Sequence, residues 1–345
     1  MGFPHTQNRV MNGAPGFRQV GDRVAGGIYW GSSGDIGWFS ELHWREMSLI
    51  EIRTPERVCA QKMTAQTLLE KKRRRQPITA LTAFDYPSAR LLDEAGIDVI
   101  LVGDSLAMTV LGYDSTLPLT MGEMLHHAKA VRRGVKSALL VVDMPYGSYH
   151  GSVDGAVKNA IRFVKAGAEA VKIEGGVARA GLVEALTLAE VPVVGHIGLT
   201  PQSLHRMGGY KVQGRSMPDI EKLFADAAAL EGAGAVALVL EGVPREVAAR
   251  ITATVAIPTI GIGAGPECDG QILVLHDLMQ WTFAKGAKFV RRFADADGAL
   301  REGVGRYRVA VEERTFPSDA ESYHLAAAVS AELDPVELKR VGVGR

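Results

Sequence analysis

Residues 138–175 read ALLVVDMPYGSYHGSVDGAVKNAIRFVKAGAEAVKIEG, and the architecture of the chain follows from their rhythm. An unbroken apolar run at 138–142 gives way to Asp143. Over 155–166 the apolar positions return at intervals of three and four, the spacing of one helix face. Ala166-Gly167 then ends the helix, with glycine as its C-terminal cap. A second apolar run at 170–173 follows, with Lys172 and Glu174 flanking Ile173. Strand, helix, strand at this spacing is a parallel unit with its helix packed across the sheet. The strands do not alternate as in a half-exposed sheet, so both of their faces are buried.

The same unit recurs in both directions. Strand-like runs stand at 78–83, 99–102, 138–142, 170–173, 192–195, 236–240, 258–262 and 288–291. Helical spacing occupies 86–95, 121–131, 155–166, 180–189, 219–233 and 245–254, and Ala95-Gly96 and Ala233-Gly234 repeat the capping pair. Eight units in about 220 residues fit a closed α/β barrel, a (β/α)8 TIM barrel, better than an open sheet. Residues 63–323 are assigned to this barrel, and 324–345 to a C-terminal tail that is helix-compatible at 325–333. Residues 1–62 carry Trp30, Trp38 and Trp44 and repeated glycines with no sustained period. They read as a dispensable N-terminal extension, either poorly ordered or translated from a start upstream of Met63, whose own helix covers 64–74.

The 345 residues balance 39 Lys+Arg against 39 Asp+Glu, with 47% hydrophobic residues. That composition is globular, and its neutrality gives no reason to expect nucleic acid or a membrane surface as partner. No apolar run approaches the roughly 18–20 residues of a membrane span. Cys59 and Cys268 form neither a bridge framework nor a CxxC knuckle, so a cytoplasmic setting is expected. The basic run 71–75 reads as a solvated helix end, where cations suit the dipole.

In such a barrel the residues just after each strand line the catalytic mouth. Here they are Asp104 and Ser105, Asp143, Lys172 and Glu174, His196, and Glu241. Four carboxylates on different strands repel one another unless a cation or selective protonation relieves them. A hard divalent cation such as Mg2+ accepts oxygen ligands and retains waters. Zinc fits less well, since no strand end carries Cys and only one carries His. Lys172 and Glu174 lie two apart and share a face, which points to an anionic substrate between ammonium and metal. Asp114 and Asp269 read as loop residues, residues 261–265 as a strand-end turn without GxGxxG spacing, His126-His127 as helix residues, and Cys268 as a thiol lacking a paired base.

Several longer motifs contain these positions: 81–86 (LTAFDY), 102–106 (VGDSL), 171–176 (VKIEGG), 195–203 (GHIGLTPQS), 208–215 (GGYKVQGR) and 261–270. Over 63–323 the sequence resembles the ketopantoate hydroxymethyltransferase family. The resemblance implies a (β/α)8 barrel in a homo-oligomer, a decamer, with one Mg2+ per subunit. It implies hydroxymethyl transfer from 5,10-methylenetetrahydrofolate to 3-methyl-2-oxobutanoate, giving 2-dehydropantoate and tetrahydrofolate, the first step of pantothenate biosynthesis. Carried over by position, it makes Asp104, Asp143 and Glu174 the metal ligands, and Asp104, Ser105, Asp143 and Lys172 the keto-acid contacts. Glu241 becomes the proton acceptor, while His196 is a pocket residue without an assigned role. Spacing names no folate contact. The competing readings are a related metal-dependent lyase or mutase of 2-oxo acids, and a non-catalytic barrel serving as scaffold or RNA binder.

Overall fold

The computed structural model describes residues 61–283 and 286–333; residues 1–60, most of the stretch read as an extension, and the end of the tail lie outside them. Eight parallel strands close into a barrel in chain order. They are β1 (Ile78–Thr82), β2 (Val99–Val102), β3 (Leu139–Asp143), β4 (Ala170–Glu174), β5 (Val193–Gly198), β6 (Ala237–Glu241), β7 (Thr259–Ile262) and β8 (Gly270–Leu273). Helix α1 (Ala65–Arg73) precedes them; α2 (Tyr86–Glu94), α3 (Leu106–Thr109), α4 (Met121–Gly134), α5 (Val153–Lys165), α6 (Ala180–Leu188), α7 (Leu204–Met207), α8 (Met217–Gly232) and α9 (Arg245–Thr254) lie between successive strands. After β8 come α10 (Leu275–Leu278), α11 (Ala296–Glu312) and α12 (Ala327–Leu333). Helix starts carry side-chain caps: Asp85 accepts from Ser88 N–H, Ser152 from Gly155 N–H, and Thr120 and Glu123 form a capping box. The predicted Ala-Gly ends hold, as at Gly167, where φ is +103°.

Alternate strand residues serve two cores. Leu140, Val142, Val171 and Ile173 face the helices and pack with Phe163 and Leu186, each large side chain contributing about 1.5–3 kcal/mol by burial. Leu139, Val141, Ala170, Val194 and Val239 fill the barrel interior. The interior rows end in Asp143, Lys172, His196 and Glu241, two residues beyond the last apolar member of each row.

The eighth strand is not the predicted 288–291 but Gly270–Leu273, which pairs with β1 through Ile78↔Gly270 and Ala80↔Ile272. Residues 288–291 instead lie in a turn, with Val290 N–H on Ala287 O at 3.0 Å. Phe289 covers the end of β7, where a Cβ on Gly263 would sit 2.6 Å from its ring.

The basic run is also more than a solvated end. Helix α1 inserts Leu68, 1% exposed, into the interior cluster, and the first two lysines of the basic run reach opposite sides of β1. Lys71 Nζ pairs with Asp98 at 2.6 Å and Lys72 Nζ with Asp269 at 2.8 Å. Asp98 also accepts from the Thr79 backbone and hydroxyl, and Asp269 from those of Thr259. Arg73 to Arg75 remain exposed. Because the Lys72 pair is largely buried, Lys72→Met should cost about 2 kcal/mol, between the values for exposed and buried pairs. Arg73→Met should change stability by less than about 0.5 kcal/mol. Denaturant unfolding of the two variants checks this; equal losses would restore the solvated-end reading.

Lys62, at the boundary of the predicted extension, pairs with Glu169 at 2.7 Å and so belongs with the barrel. Helix α11 buries none of its residues and leaves Leu300, Val304, Tyr307 and Val311 exposed at helical spacing on one face. Among the described residues no helix is long and apolar enough to cross a membrane.

Candidate active site

The carboxyl ends of β2 to β6 bring the sequence-predicted residues together. Register sets Asp143 beside Lys172, Glu174 beside His196, and Gly198 beside Glu241. Only glycine fits at 198: its φ is +95°, and a Cβ there would stand 2.3 Å from the Glu241 carbonyl oxygen. Lys172 Nζ lies 3.1 Å from Asp143 Oδ1 and 3.2 Å from His196 Nδ1. His196, 2% exposed, stands between two acids, with Nδ1 3.4 Å from Glu174 Oε1 and Nε2 3.3 Å from Glu241 Oε2. These are ion-pair separations whose alignment falls short of a hydrogen bond at Asp143 Oδ1, Glu174 Oε1 and His196 Nε2. Asp104 joins through its backbone N–H, which donates to Asp143 Oδ2 at 2.9 Å. Ser105, partly exposed at the start of α3, has a hydroxyl with no hydrogen bond among the described residues.

Electrostatics follow from this crowding. Burial, then the charges of Asp143 and Glu174, push the Asp104 carboxyl up to about 8. Burial also raises Asp143, against the pull of Lys172. Burial opposes the Lys172 charge, but Asp143, Glu174 and Asp104 together more than offset it and hold the ammonium above its ordinary range. For His196, burial and Lys172 oppose protonation, and the contacts to Glu174 and Glu241 outweigh them, raising it to about 9. Nδ1 lies 3.2 Å from the Lys172 ammonium, which can only donate, so in the neutral ring the proton sits on Nε2. His196, without a role in the sequence reading, thus links the proposed base to a proposed metal ligand.

Two residues that sequence reasoning missed complete the cluster, Tyr149 after β3 and Gln202 after β5. The Gln202 amide donates to Asp104 Oδ2 at 2.9 Å and its backbone N–H to Glu174 Oε2 at 2.9 Å. Tyr149 donates to Gln202 Oε1 at 2.7 Å, and burial raises its phenol well above the ordinary value. Gln202 lies inside the motif 195–203, its only signal; Tyr149 had none.

The residues set aside are elsewhere. Asp114 is exposed, Asp269 holds Lys72, and His127 Nδ1 contacts Phe84 O at 2.6 Å. Cys268 is buried, with its thiol raised by burial.

A closed parallel barrel with buried acids, a lysine and a histidine gathered at the carboxyl ends of its strands defines a (β/α)8-barrel enzyme. Its fold resembles that of a phosphonopyruvate hydrolase solved with oxalate and Mg++, at TM-score 0.53 and 19% identity, over 79% of this chain and 96% of that one. The chain belongs to the ketopantoate hydroxymethyltransferase family, whose model matches residues 62–319. It is 62% identical to the 3-methyl-2-oxobutanoate hydroxymethyltransferase of Koribacter versatilis (strain Ellin345), over 81% of this chain and 95% of that protein. To the enzyme of the same name from Thermoanaerobacter sp. (strain X514) it is 51% identical, over 77% of this chain and 97% of the relative. It is accordingly a hydroxymethyltransferase.

Proposed function

We propose that the protein converts 3-methyl-2-oxobutanoate, 5,10-methylenetetrahydrofolate and water into 2-dehydropantoate and tetrahydrofolate, the first step of pantothenate biosynthesis. The observation that carries this reading is the pair of buried carboxylate oxygens, Asp143 Oδ1 and Glu174 Oε1, left without a hydrogen bond beside Lys172. Each faces a cationic or protonatable neighbour, Lys172 at 3.1 Å and His196 at 3.4 Å, yet lacks an aligned hydrogen bond, so each keeps lone-pair capacity for a divalent cation. The donor set is all oxygen, which suits Mg2+. Among the described residues no group of three or more His, Cys, Asp or Glu side chains is already arranged to hold a metal ion. The cation would be held by Asp104, Asp143 and Glu174, with substrate oxygens and waters completing its shell.

When bound, Mg2+ would supply Lewis-acid stabilisation of negative charge on the keto oxygen. The chain's own groups do the rest. Lys172 and the Ser105 hydroxyl bind the carboxylate of the keto acid. Glu241 accepts the proton from C3, its Oε2 facing His196 Nε2 at 3.3 Å. Both C–N bonds of the methylene bridge break: the carbon nucleophile takes one of those positions and the oxygen of water the other, while the proton taken from C3 and one from water end on the two folate nitrogens.

The apolar face of α11 supports a homo-oligomer, for which the family resemblance suggests a decamer, and the free Cys268 thiol suits the cytoplasm. A reaction containing both substrates and Mg2+ should form 2-dehydropantoate, and omission of any one should stop it. Light scattering on the same sample should give about ten chain masses. Turnover without folate would favour a lyase or mutase instead, and a monomer would remove the oligomer.

A further inference from the structure

Each of the three carboxylates proposed to hold the cation has one oxygen pinned by an N–H donor. Asp104 Oδ2 takes the Gln202 amide, Asp143 Oδ2 the Asp104 backbone and Glu174 Oε2 the Gln202 backbone, all at 2.9 Å. The second oxygen of each makes no hydrogen bond among the described residues, and Asp143 Oδ1 and Glu174 Oε1 are fully buried. Gln202, 6% exposed, supplies two of the three donors. Its Nε2 also donates to Met144 O at 3.0 Å, and its Oε1 accepts from Tyr149 at 2.7 Å. A flipped amide would set its oxygen against two acceptors, so the network determines the orientation. The Tyr149 hydroxyl in turn accepts from Glu174 N–H at 3.2 Å. Its ring is held between the His150 ring, 4.3 Å between centroids, and the Arg179 guanidinium, 5.1 Å away.

We propose that Gln202 and Tyr149 form a positioning pair that fixes one oxygen of Asp104 and of Glu174 and presents the other to the divalent cation and the keto acid it helps to hold. The inference rests on the function proposed above. Its physical basis is that both donors are neutral. They compensate half of each buried carboxylate without adding positive charge that would repel a cation, as an Arg or Lys in the same place would. The pair touches neither the base Glu241 nor the reacting carbon, so it governs affinity and leaves proton removal to Glu241.

The test compares Tyr149→Phe, Gln202→Leu and the double variant with the unaltered protein. Calorimetry measures Mg2+ affinity in the presence of 3-methyl-2-oxobutanoate, and NMR measures exchange of the C3 hydrogen at saturating Mg2+ and keto acid. Thermal unfolding is recorded without metal. Each single variant should weaken Mg2+ binding roughly 10–100-fold, as loss of a residue behind a metal ligand does, with the saturated exchange rate unchanged. The double variant should be no weaker than Gln202→Leu alone, because the two residues act through one network. Unchanged Mg2+ affinity with a lowered unfolding temperature would make the pair merely structural and overturn the proposal, as would multiplication of the two single effects. If Gln202→Leu does not fold, Tyr149→Phe decides on the same criteria. Absence of Mg2+-dependent keto-acid binding in the unaltered protein would overturn both this inference and the function beneath it; normal binding there, matched by the variants, would overturn this inference alone.

Discussion

Exchange of the C3 hydrogen of 3-methyl-2-oxobutanoate with D2O should fall by about 10²–10⁴-fold in Glu241→Gln, the usual contribution of a general base. Glutamine keeps the shape and can still face His196, now 3.3 Å from the glutamate oxygen, but it cannot take a proton. Binding of Mg2+ and the keto acid should therefore stay nearly normal, because Glu241 lies at the end of β6, outside the proposed ligand set. Exchange followed by NMR without folate isolates proton removal from one-carbon transfer. A Gln variant that exchanges at the unaltered rate would remove Glu241 from the role of base, whatever its overall turnover.

The second large effect is expected at Asp143. Asp143→Asn should weaken Mg2+ and keto-acid binding together by roughly 10²-fold or more, since breaking a buried charge pair costs about 3–5 kcal/mol. Two functions fail at once because Asp143 faces both the metal region and Lys172, 3.1 Å away. The asparagine carboxamide oxygen can still accept from Asp104 N–H, so the substitution removes the anionic oxygen that faces Lys172. Calorimetric titration of keto acid with and without Mg2+ reads both effects. Keto-acid affinity that is unchanged in the variant and indifferent to Mg2+ would sink chelation as the binding mode.

What the sequence made legible depended on burial. Strands β2 to β6 are apolar on both faces, so they stand out as runs, and the polar residues ending them read as a mouth from sequence alone. Strand β8 was not readable: in Gly270-Gln271-Ile272-Leu273 the glutamine is exposed and the glycine carries no side chain. That strand is specified by its partner β1, not by its own composition. Phe289 and Val290 mimicked a strand because an aromatic was needed to cover β7. The same logic divides the site. Residues on strands could be assigned to it by position, whereas Tyr149 and Gln202 sit on loops, where no period reports which way a side chain turns. The lysines of α1 are illegible for a related reason: their partners Asp98 and Asp269 are distant in sequence, and a charge run does not reveal its counter-ions.

Those two lysines bear on how the protein comes apart. The β8–β1 junction is where the two ends of the barrel meet, and the Lys72–Asp269 contact beside it spans 197 positions. Joining segments that far apart incurs loop-closure entropy before the contact returns any energy, so this seam should be among the last parts to assemble. Contacts absent from the folding transition state act almost wholly on the rate of opening. Lys72 is then a latch on the seam: losing it should leave refolding speed nearly untouched and accelerate unfolding, so its contribution is to the lifetime of the closed barrel.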